Sequence, residues 1–404
     1  MVKIEDYAPI VGDGAIETIK KMAEIIRGEK AVHVNATSYG GGVAEILNRT
    51  VPLARALGID VSWQTLKGDT DFFTVTKKMH NALQGDQDVS IPSEEFGMYL
   101  KVNDENASVL DLDADVVVIH DPQPLPLIRH RKRGKWAWRC HIDTSTPNNA
   151  VWSMLEPMVR MYDLTIFSME RYIPKGLPVP AIIDYPTIDP LAPKNASMKP
   201  EEITRVLERY GVDPDRPLIG QVARFDPWKN PMGAIDVFRK VRSAVPGVQL
   251  AMIGAFAKDD PEGAEWHERV VKYVGMDKDI FVLSNLDGVG DLEVNAFQRA
   301  FSVALQLSKR EGFGLTVTEA LWKGVPVVAT RAGGIPLQVI DGTTGFLTDG
   351  IDDAAGKTVL LLRRPWLARE LGEGGKDHVR LNFLITNGLS NYLRMHIELV
   401  GKMG

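Results

Sequence analysis

Short apolar runs alternate with longer helical stretches along the whole chain, and this alternation constrains the fold more than any other feature. The runs that we predict as strands are AVHVNA (31–36), DVVVIH (115–120), WAWRCHI (136–142), LIGQVA (218–223), VQLAMIG (248–254), DIFVLS (279–284), VALQLS (303–308) and VPVVAT (325–330). Because they are apolar on both faces, they are typical of parallel strands covered by helices. The pattern predicts an α/β protein with two doubly wound, Rossmann-like domains.

A segment rich in Pro and Asp, residues 184–215, separates the two sets of strands. We therefore predict an N-terminal domain over 1–190 and a C-terminal domain over 191–375. The last stretch has only helical patterns, and we expect 376–404 to pack back toward the N-terminal domain. A chain of 404 residues is long enough for two domains with separate cores.

Composition narrows the possible partners and the compartment. The formal net charge of -6 argues against a general nucleic-acid binder, which usually carries a basic field. The single cysteine, Cys140, excludes an intramolecular disulfide and fits a reducing cytoplasm. We see no signal peptide and no apolar run near the ~20 residues of a membrane helix. We therefore expect a cytoplasmic protein without nucleic-acid or membrane partners, and a homo-oligomer stays open.

The loop RFDPWKN, which directly follows the strand at 218–223, carries two cations, Arg224 and Lys229. In open α/β sheets, ligands bind beyond the carboxyl ends of the strands. An Arg fork and a compact Lys charge would hold phosphate oxygens and stabilise a leaving diphosphate. The alternative is an exposed pair at a helix start, although cations there oppose the helix dipole.

A second loop, KREGFGLTVTEALWKG, contains Gly312 and Gly314, whose backbone can come close to a ligand. We expect a helix to begin near Thr316, with free amide groups that suit an anion or sugar hydroxyls. Glu311 and Glu319 could each accept two hydrogen bonds from a diol. The alternative for Glu319 is a capping box, Thr316-x-x-Glu319.

A third loop, RAGGIP (331–336), could bring Gly333 and Gly334 to the same ligand, but we favour a simple turn there.

The first half has weaker signals. Three glycines, Gly40 to Gly42, open a helix after the first strand, although they lack the dinucleotide-binding spacing. IHDPQP places His120, Asp121 and Gln123 at a strand end, and WRCHID places His141 at another. Such convergent polar groups suit sugar recognition, and turn formation is the alternative. DLDAD (111–115) lies before its strand, at the opposite end, so we predict no metal site.

These residues resemble those of family 4 retaining glycosyltransferases with the two-domain GT-B fold, in which a cleft separates the domains. Glu311 and Glu319, with seven residues between them, match the E-x7-E motif, and Arg224 and Lys229 match the Arg-x4-Lys pair. Within this family the chain is most similar to glycosyltransferring trehalose synthases. The stretches HVNATSYGGGVAEIL, HDPQP, WRCHID and ARFDPWK carry this likeness.

The resemblance implies a hexosyltransferase that makes trehalose from ADP- or UDP-glucose and free glucose, without a metal or other cofactor. The implied catalytic residues are Arg224, Lys229, Glu311 and His141. The implied donor-binding residues are Gly41, Gly42, Arg224, Lys229, Glu311, Gly312, Phe313, Gly314, Leu315 and Glu319. Within that set, Glu319 would bind the ribose, and His141 would contact the 6-hydroxyl of the donor glucose. The implied acceptor-binding residues are Asn35, His120, Asp121, Gln123 and His141.

Several alternatives stay open. Trehalose-6-phosphate synthases share the core motifs, and a sucrose-type synthase or a trehalose phosphorylase of the same fold would also carry them. The non-enzyme alternative is a regulator that binds a sugar nucleotide. A regulator of this kind is expected to have lost Arg224, Lys229 or Glu311, and all three are present. The preferred base and the physiological direction do not follow from the residues.

Overall fold

A computed structural model describes residues 3–38, 42–255 and 261–402, without the side chains of 261 and 262. The strands are β1 (Lys30–Asn35), β2 (Asp60–Thr65), β3 (Val116–His120), β4 (Lys135–Cys140), β5 (Leu164–Phe167), β6 (Ala181–Ile183), β7 (Leu218–Val222), β8 (Gln249–Gly254), β9 (Ile280–Ser284), β10 (Val303–Gln306), β11 (Val327–Thr330) and β12 (Gly345–Thr348).

The helices of the described part are α1 (Ala8–Val11), α2 (Asp13–Ile25), α3 (Gly42–Ala56), α4 (Thr70–Leu83), α5 (Ser93–Ala107), α6 (Asn149–Val159), α7 (Pro200–Arg209), α8 (Pro231–Ala244), α9 (Pro261–Val274), α10 (Asp291–Ala300), α11 (Leu315–Trp322), α12 (Ile335–Gln338), α13 (Ile351–Arg363), α14 (Pro365–Asn382) and α15 (Ile385–Leu399). Short 3₁₀ helices occupy Ile4–Tyr7, Leu125–His130, Glu170–Tyr172, Pro227–Lys229 and Asn285–Asp287.

The chain divides into two compact units. Unit 1 contains the residues up to Thr187 and those from Ile385 onward, and unit 2 runs from Ile188 to Leu384. Unit 1 therefore includes α15, which packs against α2 and α3. The buried face of α15 carries Leu389, Tyr392, Leu393 and His396.

Each unit contains one parallel six-stranded sheet. The strand order is β2-β1-β3-β4-β5-β6 in unit 1 and β12-β11-β10-β7-β8-β9 in unit 2. The order reverses between β1 and β3 in unit 1, and between β7 and β10 in unit 2. In doubly wound sheets, ligands bind beyond the strand ends at such switch points. The prediction of two doubly wound α/β domains is confirmed.

The eight strands that we predicted are all present, within a few residues. Three bounds were wrong by two residues, because β4 ends at Cys140, β10 ends at Gln306 and β11 begins at Val327. His141 therefore already lies in a loop. The strands β2, β5, β6 and β12 escaped the prediction. Three of these lie at sheet edges, where one side meets solvent, and β2 is correspondingly half-exposed along most of its length. An edge strand does not need the continuous apolar run that marks a central strand.

Among the described residues, no helix combines the length and the apolar character that a membrane span requires.

Candidate active site

Two of the loops singled out from the sequence lie side by side in unit 2. One follows β7 and carries Arg224 and Lys229, and the other follows β10 and carries Glu311. Because β7 and β10 are parallel neighbours at the switch point, both loops begin at the same edge of the sheet. The fold thus brings together residues that are distant in sequence.

Lys229 is held in place by the local chain. It ends a 3₁₀ turn over Pro227–Lys229, which Asp226 caps by accepting a hydrogen bond from the Lys229 amide at 2.9 Å. The next residue, Asn230, adopts a left-handed conformation with φ 52° and starts α8. The turn directs the lysine side chain toward the β10 loop.

Lys229 and Glu311 form a nearly buried ion pair. The Lys229 Nζ lies 2.7 Å from both carboxylate oxygens of Glu311, and the two side chains are 16% and 8% exposed. Gln306 and Ser308 each donate a further hydrogen bond of 3.2 Å to Glu311 Oε2. Three donors therefore fix the carboxylate. Their hydrogen bonds are strong because the acceptor is charged and poorly solvated.

Arg224 differs from Lys229 in its surroundings. Its side chain is 62% exposed, and its nearest ionic partner is Asp226, at 3.4 Å. Because the guanidinium is largely solvated and the contact is long, the buried Asp226 holds it only loosely. Arg224 thus presents a charge to solvent on the same loop as the fixed Lys229.

The glycine loop after Glu311 is shaped by backbone contacts. Gly314, with φ 87°, precedes α11, and the buried Phe313 packs edge-on against Phe383 at 5.5 Å. Gly312, Gly314 and Leu315 stay partly accessible. The backbone of this loop can therefore reach a ligand, whereas the Phe313 side chain serves the core.

Gly333 and Gly334 make more than a simple turn. A Cβ on Gly333, which has φ 50°, would lie 1.6 Å from the Glu311 carbonyl oxygen, and the Gly334 amide donates to the Gly312 carbonyl at 2.9 Å. Only glycine permits such a close approach. These two residues support the loop that carries Glu311.

The capping-box alternative for Glu319 is wrong. The N-cap of α11 is Gly314, no side chain caps the helix, and Thr316 is its second residue. Glu319 lies in the next turn and is fully buried. The Nζ of Lys194, which sequence reasoning missed, lies 2.8 Å from Glu319 Oε1. Two Lys–Glu pairs thus accompany the two glutamates of the motif.

A third lysine, Lys323, lies behind this pair. Its Nζ donates to Asn195 Oδ1 at 2.9 Å, to Gln298 Oε1 at 2.8 Å and to the Glu319 carbonyl at 3.3 Å. Burial lowers the pKa of Lys323 to about 7, although the Glu319 carboxylate acts in the opposite direction. The loop around Asn195, and with it Lys194, is therefore anchored to α10 and α11.

Lys194→Met is expected to destabilise the protein by about 3 kcal/mol, because it leaves the buried Glu319 without its ionic partner. Urea unfolding would measure this change. The double variant Lys194→Met with Glu319→Gln should recover most of the loss, since it removes both charges. A single variant as stable as wild type would show that Glu319 is not held by this pair.

In unit 1, three histidines stand on neighbouring strands. His33 lies on β1, His120 ends β3, and His141 follows β4 directly. The strand register pairs His33 with Val118 and His120 with Arg139, so each step to the next strand advances the histidine by two residues. Residues two apart share a face of a sheet. The three rings therefore form a diagonal on one face.

The three rings are joined by two hydrogen bonds. His33 Nδ1 lies 3.0 Å from His120 Nε2, and His120 Nδ1 lies 3.0 Å from His141 Nε2. Burial lowers the pKa of His33 to about 3 and keeps the pKa of His120 and of His141 well below the ordinary imidazole value. The charge of nearby Arg139 acts in the same direction. All three rings are therefore neutral near pH 7.

Asp121 follows His120 in a left-handed conformation, with φ 63°. Its Oδ1 accepts a hydrogen bond of 2.7 Å from the His141 amide, and its carbonyl accepts one of 2.9 Å from Trp138 Nε1. Burial raises the pKa of Asp121 to about 7, despite the His141 amide and Arg139, which both act to lower it. A non-glycine residue in this region of φ is uncommon and is found often at functional sites.

Asp121→Asn is expected to raise the melting temperature by several degrees at pH 8, and by less at pH 5. The folded pKa lies above the unfolded value, so ionisation opposes folding increasingly from about pH 4 to pH 7 and fully above that. The amide keeps the hydrogen bond from His141. Thermal melts of both proteins at the two pH values would measure the difference, and a gain that does not depend on pH would contradict a titrating Asp121.

The other predicted residues of unit 1 make local contacts in the structure. The Asn35 side chain donates to the Thr37 carbonyl and accepts from Trp63 Nε1, both at 2.7 Å. The Gln123 carbonyl accepts from Asn103 at 3.1 Å, and the Gln123 side chain is half-buried. Gly42 is the first residue of α3, and Gly41 lies outside the described residues.

The DLDAD aspartates are neutralised by cations. Asp111 binds Lys30 at 2.7 Å, and both Asp113 and Asp115 pair with Arg133. Over the described ranges, no group of three or more His, Cys, Asp and Glu residues is arranged to hold a metal ion.

Comparisons with known proteins agree with this architecture. The family model for the trehalose synthase N-terminal domain matches residues 33–174, and the family model for group 1 glycosyl transferases matches residues 203–378. The trehalose synthase of Thermococcus litoralis is 51% identical over 394 residues, which cover 97% of this chain and 96% of that protein. The trehalose phosphorylase of Pleurotus pulmonarius is 30% identical over an alignment of 433 positions, which covers 93% of this chain and 58% of that protein. A solved glycosyltransferase from Rickettsia africae has a TM-score of 0.73 at 16% identity, over 93% of this chain and 100% of that chain.

The two Rossmann-like units, together with the match to group 1 glycosyl transferases, identify a glycosyltransferase of the GT-B type. Such a fold alone does not select a sugar, because one fold supports many activities. The extent and identity of the match to the curated relatives decide the family. The chain belongs to the trehalose synthase family of glycosyltransferases.

Proposed function

We propose that this protein is a retaining glucosyltransferase that makes trehalose from a nucleoside diphosphate glucose, ADP- or UDP-glucose, and free glucose. The reaction would be reversible and would need no metal. The relatives named trehalose synthase support the product, because they match nearly the whole chain.

One observation supports the donor site most strongly, namely the contact between Lys229 and Glu311. A diphosphate needs a cation, and a hexose needs a hydrogen-bond acceptor for its hydroxyls. In a nucleotide sugar, these two groups are linked through a single glycosidic bond. A cation and a carboxylate 2.7 Å apart can therefore bind the diphosphate and the hexose of one nucleotide sugar, on either side of that bond. The donor would contact both side chains.

The proposed transfer proceeds by front-face attack. The acceptor hydroxyl forms a bond to the anomeric carbon on the side from which the diphosphate leaves, and a phosphate oxygen takes the hydroxyl proton. Configuration is retained without the nucleophilic carboxylate of a double displacement. Arg224 and Lys229 would stabilise the charge that develops on the leaving diphosphate.

The residues of unit 1 would bind sugar. Asp121 and Gln123 would serve the acceptor, and His141 the donor glucose. His120, which we expected at the acceptor, is buried with both ring nitrogens bonded to histidines, so it would position His141 instead. The support for this assignment is that His120, Asp121 and His141 are fixed to one another at the ends of β3 and β4. Such rigid placement is what a stereospecific sugar site requires.

The principal alternative is a trehalose phosphorylase, which would use phosphate in place of a nucleotide. The similarity to the Pleurotus pulmonarius phosphorylase supports it. Lys229 and Arg224 suit inorganic phosphate as well as a diphosphate. The substrate therefore separates the two activities, whereas the cations do not.

The test is a matrix of substrates in the presence of EDTA. The donors are ADP-, UDP- and GDP-glucose and glucose 1-phosphate, and the acceptors are glucose and glucose 6-phosphate. Disaccharide products are identified by chromatography and NMR, which also reports the anomeric configuration. Arg224→Ala serves as the control for turnover at the proposed site.

We expect α,α-trehalose from glucose and a nucleotide donor. Product from glucose 1-phosphate alone would establish the phosphorylase instead. Formation of trehalose 6-phosphate from glucose 6-phosphate would identify a trehalose-6-phosphate synthase. No product with any pair would contradict an enzyme and leave a sugar-nucleotide-binding regulator, which calorimetry with the nucleotide sugars would then reveal.

A further inference from the structure

The histidine chain of unit 1 has two possible directions. Each neutral imidazole carries one N–H, so the two hydrogen bonds at 3.0 Å must both point toward His141 or both point away from it. In the first case His141 accepts on Nε2 and carries its proton on Nδ1. In the second case His141 donates from Nε2, and its Nδ1 is a bare acceptor.

The His33 end of the three linked histidines decides between these two directions. His33 Nε2 is buried, and no group of the described residues is within hydrogen-bond reach of it. The Tyr392 ring closes this end, 5.2 Å from the His33 ring. If the bonds pointed away from His141, His33 Nε2 would be a buried N–H without an acceptor. Buried orphan N–H groups are rarer in proteins than buried lone pairs without a donor.

We propose that His33 and His120 are positioning residues that hold His141 as the Nδ1–H tautomer, so that its outward nitrogen donates a hydrogen bond to a sugar oxygen. The assignment of a sugar as the ligand rests on the proposed function, whereas the tautomer does not. His141 then acts as a fixed donor and takes no proton in the reaction.

The three linked histidines also have the rigidity that this role needs. The rings of His120 and His141 are nearly parallel, at 13°, and each ring is anchored by its own strand. The neutral state of all three is maintained by burial and by Arg139, which is itself bound to Asp184 at 2.6 Å. A lone histidine in a loop would sample both tautomers.

The direct test reads the tautomer without substrate. Long-range ¹H–¹⁵N correlation spectra of protein labelled with ¹⁵N-histidine distinguish a protonated ring nitrogen from a bare one. Single histidine variants assign the signals. We expect His141 to be protonated at Nδ1 and bare at Nε2, and a proton on Nε2 would overturn the proposal whether or not the protein transfers glucose.

Variants then test the cause. His120→Leu removes the donor to His141 Nε2, so the His141 signals should shift toward a mixture of tautomers. His120→Gln keeps one donor and one acceptor and should preserve the wild-type tautomer. His130→Gln is the control, because His130 bonds to Asp104 and is not one of the three linked histidines. An unchanged His141 tautomer in His120→Leu would overturn the role of the chain, and the wild-type spectrum decides if that variant does not fold.

The effect on catalysis should follow the tautomer. For a glucosyl donor, we expect kcat/KM to fall about tenfold in His120→Leu, because one hydrogen bond to the sugar is weakened. With a 6-deoxyglucosyl donor, which lacks the hydroxyl assigned to His141, the same variant should lose little further activity. An equal loss with both donors would contradict the contact while leaving the glucosyltransferase itself established.

Discussion

Lys229→Ala should lower turnover by about 10²-fold or more, as is typical when a group that stabilises transition-state charge is lost. Lys229 is expected to balance negative charge on the leaving diphosphate, and it is held in place by Glu311 at 2.7 Å and by the Asp226 cap. Initial rates at saturating donor would measure the change. The loss should appear in kcat, because the charge develops only as the bond breaks.

Stability must be measured beside the rate. Removal of Lys229 leaves Glu311 nearly buried without its counter-charge, which is destabilising by about 3 kcal/mol or more. Arg224→Ala separates the two effects, because Arg224 is 62% exposed and its loss should leave the melting temperature unchanged. We expect it to lose turnover to a similar degree.

Lys309→Ala is the matched control. Lys309 is an exposed cation on the loop after β10, and its backbone amide donates to the Trp228 carbonyl at 2.7 Å, a bond that the variant keeps. Its turnover should stay near that of wild type. Near-normal turnover in both Arg224→Ala and Lys229→Ala would exclude electrostatic assistance by this pair and would rule out the proposed mechanism.

The sequence was informative about the sheets because their central strands are apolar on both faces. It placed Lys229 and Glu311 in loops after strands, and the parallel arrangement of β7 and β10 then makes these loops neighbours. The contact itself could not be predicted, because it depends on the order of the strands, in which β7 and β10 are adjacent although two other strands intervene in the chain.

Two site residues escaped prediction for physical reasons. Lys194 lies in a segment whose Pro and Asp content suggested only a linker, and its contact with Glu319 depends on anchoring by α10 and α11. His33 sits inside an apolar strand, where a histidine is easily dismissed as a core residue. The available signal was the alternation of β1, which places His33 and Asn35 on one face.

Acidification from pH 7 to pH 5 should lower the free energy of unfolding by several kcal/mol, with unit 1 affected first. Burial lowers the pKa of four histidines, to about 3 for His33, to about 4 for His396, and well below the ordinary value for His120 and the partly exposed His141. Unfolding releases them to take up protons near pH 6.5, so stability is present above that pH and is lost below it.

The magnitude follows from the linkage. Each ring that stays neutral in the fold contributes a loss of about 2 kcal/mol over this interval. Asp121 opposes the four, since its pKa of about 7 lets the folded protein bind a proton that the unfolded chain binds only near pH 4. It returns about 2 kcal/mol. The net loss is a large part of the 5–15 kcal/mol that stabilises a typical protein.

Urea unfolding followed at several pH values tests this expectation, and His396→Leu isolates one contributor. His396 is fully buried, and both of its ring nitrogens are without a hydrogen-bond partner among the described residues. An apolar side chain of similar size should be tolerated at pH 8 and should remove about 2 kcal/mol of the loss at pH 5.

If wild type and His396→Leu lose the same stability between pH 7 and pH 5, then His396 takes up its proton inside the fold, and burial does not control its titration. The outcome also bears on the histidine chain, because His33 lies in the same buried region, next to Tyr392. If His396 is protonated inside the fold, His33 can be protonated there as well. The neutral, fixed tautomer of His141 requires that the three linked rings stay unprotonated at the pH of the reaction.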